Sequence, residues 1–263
     1  MRDQFLWGKD LMVAPVLTPG AKSVQIYFPA GVWFDFYSGQ KVFSNTTTGG
    51  WITANVSIDS APLYLRGGSI IPIQAETNAL TTAKARQSDL NIVVSLRNNS
   101  GFTSTGFFYL DDGVSTNFHT YHSRWSFRAN YTASGIFTIT NDKFNYSSTD
   151  TMKWGNVTIN GVLGPSTVVQ VNGKSIKGFV YDATRHVLVV PLGLKLGASP
   201  IVVKWNTNYD DQSGFEKFCI ILLGLFCALS VLSVFTFALF VVWRRFFSPE
   251  VRAAPFPISE PSL

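Results

Sequence analysis

The 263-residue chain is 46% apolar and only 14% charged, a balance that excludes a disordered protein and suffices for one or two buried cores. Its 21 Gly and 12 Pro exclude collagen-like and low-complexity classes. The net charge of +5 arises from scattered basic residues that form no run, so nothing in it points to nucleic acid as a partner.

The apolar material is aromatic and β-prone, with 22 Phe and 7 Trp. Period-2 alternation predicts strands over 11–17 and 23–31, parted by a turn at Pro19-Gly20. Further strands are expected at 32–39, 51–58 and 61–73, the last broken by Gly67-Gly68. Residues 74–88 are polar and Ala/Thr-rich and read as a linker or short helix. Strands follow at 90–97, 105–113, 124–132, 135–142, 153–162, 166–182 with an Asn172-Gly173 hairpin turn, 186–192 and 199–205. Short strands separated by turn chemistry imply sandwiches or barrels. Nothing before Phe218 carries a helical period, which excludes a (β/α)₈ barrel or a dinucleotide-binding domain within these residues.

From Phe218 to Trp243 the chain runs 26 residues without a charge. As a helix this segment is about 39 Å long, enough to cross a bilayer. Arg244 and Arg245 follow it, and the positive-inside rule then expects a cytosolic tail at 244–263, with residues 1–217 extracellular or lumenal. Asn-x-Ser/Thr sequons at Asn45, Asn55, Asn98, Asn130, Asn145 and Asn156 all fall on that side. Six exceeds the roughly three that chance would place, which favours a glycoprotein. No signal peptide is legible at the N-terminus, where Asp3, Lys9 and Asp10 interrupt any apolar run. Two accounts follow, a tail-anchored protein or the C-terminal piece of a longer one.

Cys219 and Cys227 both lie in the apolar segment, leaving residues 1–217 without a disulfide, a thiolate metal site or a thiol nucleophile. His119 and His122 have a two-ligand spacing but no Cys and no acidic cluster beyond Asp111-Asp112, so they read as surface or loop histidines, and no metal is expected. Asp111-Asp112-Gly113 resembles a carboxylate pair, yet neighbours on a strand point to opposite faces and cannot flank one bond. A turn after the strand GFFYL is the better reading. Trp33, Trp51 and Trp125 could stack on sugars, although aromatics in β-sandwiches are more often core.

The segment QFLWGKDLMVAPVLTPGAKSVQIYFPAGVWFDFYSG (4–39), followed by APLYLRGGSIIPI (61–73), resembles the region after the catalytic barrel in glycoside hydrolase family 31. GFFYLDDGVSTN (106–117) is similar to an element of that family's distal C-terminal domain. The family contains α-glucosidases of maltase, sucrase–isomaltase and lysosomal type. The resemblance implies an all-β fold of two consecutive antiparallel β-sandwich domains, 4–82 and 86–206. The uncharged apolar run places a single transmembrane helix at 218–243 after them, a C-terminal anchor in which the chain departs from the intestinal enzymes it resembles. It places the nucleophilic and acid/base aspartates on a barrel preceding QFLWG, so no catalytic residue carries over, no cofactor is implied, and the chain alone is expected to be inactive. Oligosaccharide substrate would be met through that barrel, and the lipid bilayer through the anchor. The missing signal peptide and barrel then share one explanation, a C-terminal portion of a membrane-bound α-glucosidase. The rival readings are a membrane-tethered, lectin-like ectodomain using exposed Trp, and an ectodomain with neither activity nor ligand.

Overall fold

The computed structural model describes residues 3–59, 61–75, 78–97, 103–116, 119–132, 134–146, 152–197 and 200–207. The expected helix at 218–243, the tail at 244–263, Arg244, Arg245 and Asn98 lie outside the described residues. No helix among the described residues is long and apolar enough to cross a membrane.

The first half begins with β1 (Phe5–Trp7), β2 (Leu11–Val13), β3 (Ser23–Phe28), β4 (Gly31–Asp35), β5 (Lys41–Asn45), β6 (Gly50–Asn55) and β7 (Leu63–Arg66). Five of these make a sheet of order β1-β2-β7-β4-β5, and β3 pairs with β6 as a separate ribbon. The ribbon alternates cleanly. Val24, Ile26, Phe28, Ile52 and Ala54 turn toward a core with Met12, Ala14, Trp33 and Tyr64, while Ser23, Gln25, Thr53 and Asn55 stay exposed. Phe28 centres that core, stacked on Phe43 at 5.5 Å and edge-on to Tyr64 at 5.0 Å. The strand expected over 11–17 stops at Val13, because Pro15 interrupts it. Strands β1 and β5 are additions, each too short to show a period.

The remaining elements are β8 (Ile70–Gln74), the single-turn α1 (Thr82–Ala85), β9 (Leu90–Ser95), β10 (Thr103–Asp111), β11 (His122–Tyr131), β12 (Ser134–Phe144), β13 (Lys153–Asn160), β14 (Ser166–Val171), β15 (Lys174–Ser175), β16 (Val180–Asp182), β17 (Val187–Lys195) and β18 (Ile201–Thr207). They form two sheets, β10-β11-β12-β18-β14-β15 and β16-β17-β13-β9-β8. Between them lies an aromatic core in which Trp125, Trp154, Phe127, Phe137 and Trp205 are essentially inaccessible. Asn172 and Gly173 both take positive φ, 49° and 78°, which is the backbone a two-residue hairpin requires.

The architecture is all-β, as expected, but two details differ from consecutive antiparallel sandwiches. Strand β9 runs parallel to β13, because the chain between them leaves to build β10–β12 of the opposite sheet and returns. Strand β8, expected within 4–82, pairs antiparallel with β9 and so belongs to the second pair of sheets. The switch occurs at the double glycine. The Gly67 amide donates to Val32 O at 2.7 Å and the Gly68 amide to Ser95 O at 2.8 Å, one to each side of the junction. Gly68 has φ 98°, a conformation open to glycine at no cost.

The two halves share a buried junction. Val32, Phe34 and Leu65 are buried yet stand apart from the core around Phe28. A Cβ on Gly161 would lie 3.1 Å from Phe34 Cζ, and one on Gly39 would collide with the Asn160 side chain. The β4 face turned away from the ribbon therefore packs on the ends of β9 and β13, and residues 1–209 form one compact unit.

Candidate docking edge and its surroundings

The QFLWGKD segment folds as a hairpin, β1 turning at Gly8 (φ 69°) into β2. On β2, Met12 is buried, whereas β1 lies at the sheet edge with every side chain exposed: Phe5 55%, Leu6 45% and Trp7 74%. Three adjacent large apolar residues on an unpaired edge form a surface that water solvates poorly. Just beyond β2, residues 15–22, 56–59 and Ala61 line a cleft of about 810 Å³, with Leu17 and Ile58 exposed at its rim. Gln4 anchors the start of the hairpin to β3 by taking both backbone groups of Tyr27. Asp10, in the hairpin turn, has its carboxyl pushed above the ordinary range by burial, against the opposing pull of Lys9 and Arg66.

The aspartate pair is a turn. Asp111 Oδ1 accepts from the Gly113 amide at 2.8 Å, and Asp112 Oδ1 accepts from the amides of Val114 and Ser115 at 3.0 and 2.9 Å. The Tyr109 hydroxyl donates to Asp111 Oδ2, and the Arg86 guanidinium donates to Asp111 O at 2.7 Å. The backbone amides hold the Asp112 carboxyl below its ordinary range. Both carboxylates are thus committed to holding their own loop, unlike a pair that must exchange a proton with substrate. His122 opens β11 and stacks on Tyr109 at 5.0 Å, while His119 sits in an exposed turn whose carbonyl accepts from Lys143 Nζ. Trp33 and Trp125 are core residues, their indole N–H groups donating to Pro29 O and Leu196 O. Trp51 is different, lying 60% exposed on the outer face of β6.

Residues 1–71 match the model of the glycosyl hydrolase family 31 C-terminal domain. Human intestinal sucrase-isomaltase is 32% identical over 81% of this chain and 12% of its own length, and the barley (Hordeum vulgare) α-glucosidase is 31% identical over 70% and 21%. The chain is a C-terminal part of glycoside hydrolase family 31. It spans about a tenth to a fifth of the length of these relatives. Among solved structures, a Flavobacterium johnsoniae family 31 dextranase superposes with a TM-score of 0.64 at 20% identity, covering 79% of this chain and 27% of its own. The α subunit of glucosidase II superposes at 0.59 with 19% identity, over 79% and 24%. These likenesses carry the fold.

Within this family 31 chain, the sequon asparagines among the described residues, Asn45, Asn55, Asn130, Asn145 and Asn156, are all exposed. Asn45 terminates β5, at the sheet edge opposite β1. Its amide is tied into a local turn with Thr47 and Thr48, that of Asn145 donates to Thr120 O, and Asn130 accepts from Thr103. The residues that sequence reasoning overlooked are Gln4, a polar residue with no period to flag it, and Arg86, whose partner Asp111 is 25 positions away.

Proposed function

We propose that this chain is the barrel-supporting and membrane-anchoring portion of an α-glucosidase that hydrolyses terminal α-glucosidic bonds of oligosaccharides. The observation that carries this reading is the bare β1 edge. Phe5 and Trp7 on one face of β1 and Leu6 on the other are all exposed on a hairpin that is otherwise well anchored, as expected of an edge that seats another domain. In this reading the two β-sandwich parts, near 4–82 and 86–206, brace the catalytic barrel, and the helix at 218–243 holds the assembly to a membrane. Residues 1–217 face the lumen or exterior, with Arg244 and Arg245 keeping the tail cytosolic. The carboxylates nearest to a catalytic pair in appearance, Asp111 and Asp112, serve their own turn, so acid and nucleophile come from the barrel. The lectin-like alternative is weakened by the burial of Trp33 and Trp125.

The test is association. Co-expressed with a family 31 barrel, the chain should co-purify with it, and the pair should release glucose from maltose. Phe5→Ser, Leu6→Ser and Trp7→Ser together should abolish co-purification while leaving the β-sheet circular dichroism of the chain intact. Unchanged association of the triple variant would refute the docking edge.

A further inference from the structure

Trp51 is a large aromatic side chain left exposed near one end of the β3–β6 ribbon, and its neighbours indicate what covers it. The outer face of the ribbon is a ladder of three cross-strand pairs, Tyr27 with Trp51, Gln25 with Thr53 and Ser23 with Asn55. At one end the Trp51 ring meets Tyr27 edge-on at 5.3 Å between centroids. Gly49 makes room for the tyrosine, since a Cβ there would collide with its hydroxyl. In the middle, Gln25 Nε2 donates to Thr53 Oγ1 at 3.2 Å, leaving exposed amide and hydroxyl groups. At the other end stands Asn55 of the sequon Asn55-Val56-Ser57, exposed on the same face. Among the described residues no hydrogen bond engages its side-chain amide, unlike that of Asn45 or Asn145.

We propose that Asn55 carries an N-linked glycan that lies along this ladder and stacks on Trp51 and Tyr27, so that the outer face of the ribbon is an intramolecular oligosaccharide subsite. The proposal rests on the lumenal placement of residues 1–217 argued above. In the transfer, Asn55 Nδ2 forms a bond to C1 of the first sugar of a polyprenyl-pyrophosphate-linked oligosaccharide. The C1–O bond to pyrophosphate breaks, and the amide proton leaves with the polyprenyl pyrophosphate. At about 3.3 Å per residue Trp51 lies about 13 Å along the strand from Asn55, within reach of the second and third sugars of the chain. The C–H face of a pyranose is apolar and fits against an exposed indole, while Thr53 and Gln25 meet the hydroxyl groups of the sugars between. Strand alternation makes the geometry specific, because Asn55 and Trp51 are four residues apart and must share a face.

The full chain, expressed behind an added signal peptide in cells that make oligomannose glycans, gives a direct test. Trypsin releases Val42–Arg66, in which Trp51 is the sole tryptophan, so mass spectrometry reads both occupancy at Asn55 and oxidation of Trp51. The native protein is treated with a tryptophan oxidant before and after an endoglycosidase trims each glycan to one sugar. Trp51 should oxidise roughly fivefold more slowly with the intact glycan, a bias of the size one exposed aromatic contact supplies. Trp7 should oxidise at the same rate in both forms. Asn45→Gln should preserve the protection and Asn55→Gln should remove it. Equal Trp51 rates with Asn55 fully occupied would overturn the subsite while leaving lumenal glycosylation standing. An unmodified Asn55 in translocated protein would overturn the subsite at its first step, and no modification at any sequon would overturn the lumenal reading as well.

Discussion

The Gln4 side chain pairs with the backbone of Tyr27 as a strand would, its Nε2 donating to Tyr27 O at 2.7 Å and its Oε1 accepting from Tyr27 N at 2.9 Å. One amide side chain thereby satisfies both backbone groups of Tyr27 on the free edge of β3 and ties the start of the β1 hairpin to the ribbon. Gln4→Ala leaves a half-buried N–H and C=O without partners, at a cost of about 1–3 kcal/mol. Gln4→Glu keeps an acceptor for Tyr27 N but sets a carboxylate against Tyr27 O, so it should fall on the same side. Urea midpoints measure both, and an alanine variant as stable as the parent would show that the amide contact contributes nothing.

Gly106 on β10 lies directly against the backbone of Ile70 on β8. A Cβ there would collide with Ile70 O, which cannot move without breaking the β8–β9 pairing. Gly106→Ala should therefore destabilise by about 3 kcal/mol or more, the range of severe overpacking. Gly197 provides the contrast. Nothing lies within 4 Å of its added Cβ, and Gly197→Ala should leave the thermal midpoint within a degree or two.

Much of this fold is legible in the sequence because two-residue alternation needs only a local window. The inward rows Val24-Ile26-Phe28 and Trp125-Phe127-Ala129 are readable at sight, and so are the Asn172-Gly173 turn and the Asp111-Asp112 loop. What escapes the sequence is pairing at a distance. Residues 61–73 read as one strand broken by glycines, yet β7 and β8 belong to different sheets, a choice made by Val32 and Ser95 through the amides of Gly67 and Gly68. The exposure of Phe5, Leu6 and Trp7 is expected from the family resemblance, which leaves an apolar face without its barrel. Three apolar residues in a row have no period, however, and only the structure places them on an edge strand.

Asn160 lies fully buried at the junction of the two halves, and neither its Oδ1 nor its Nδ2 has a hydrogen-bond partner among the described residues. Its neighbour in register, Ser95, is buried with its hydroxyl in the same condition. An unsatisfied buried amide costs about 1–3 kcal/mol, so the near-isosteric Asn160→Leu should raise stability by an amount of that order. A lowered urea midpoint would mean that the amide is satisfied by trapped solvent and belongs to the junction.

The acid limb of stability should depend on Asp182. Its carboxyl is held well below the ordinary value of 3.8, first by the Thr184 hydroxyl, then by the Arg185 amide and guanidinium. A carboxylate depressed in the folded state contributes stability that is complete above the unfolded value and is lost as pH falls through the folded one. Asp112 acts in the same direction, whereas Asp10, raised by burial, favours the folded state at low pH and opposes them. Asp182→Asn retains the turn-forming oxygen and removes the titration, so its urea midpoint should fall less steeply between about pH 4 and pH 2 than that of the parent. Identical slopes would assign the acid limb to other groups.

The placement of β8 predicts an unusual outcome for limited proteolysis. The exposed single-turn helix α1 carries Lys84 and is followed by Arg86 as its C-cap, which makes it the natural place for trypsin to cut. Were residues 4–82 an independent domain, a cut there would free a fragment beginning at Gln87. Strand β8 lies on the near side of that cut but pairs over its whole length with β9 on the far side, and Ile70 is buried in the distal core. Thr105 N and Ser95 N donate to Gly68 O and Ser69 O, closing the same seam. Val32, Phe34 and Leu65 add a second buried surface that the cut leaves untouched. Nicked protein should therefore elute from a sizing column as one species, its two pieces separating only under denaturing conditions. A fragment beginning at Gln87 that elutes alone and keeps its cooperative unfolding would show that β8 is dispensable to the distal sheets.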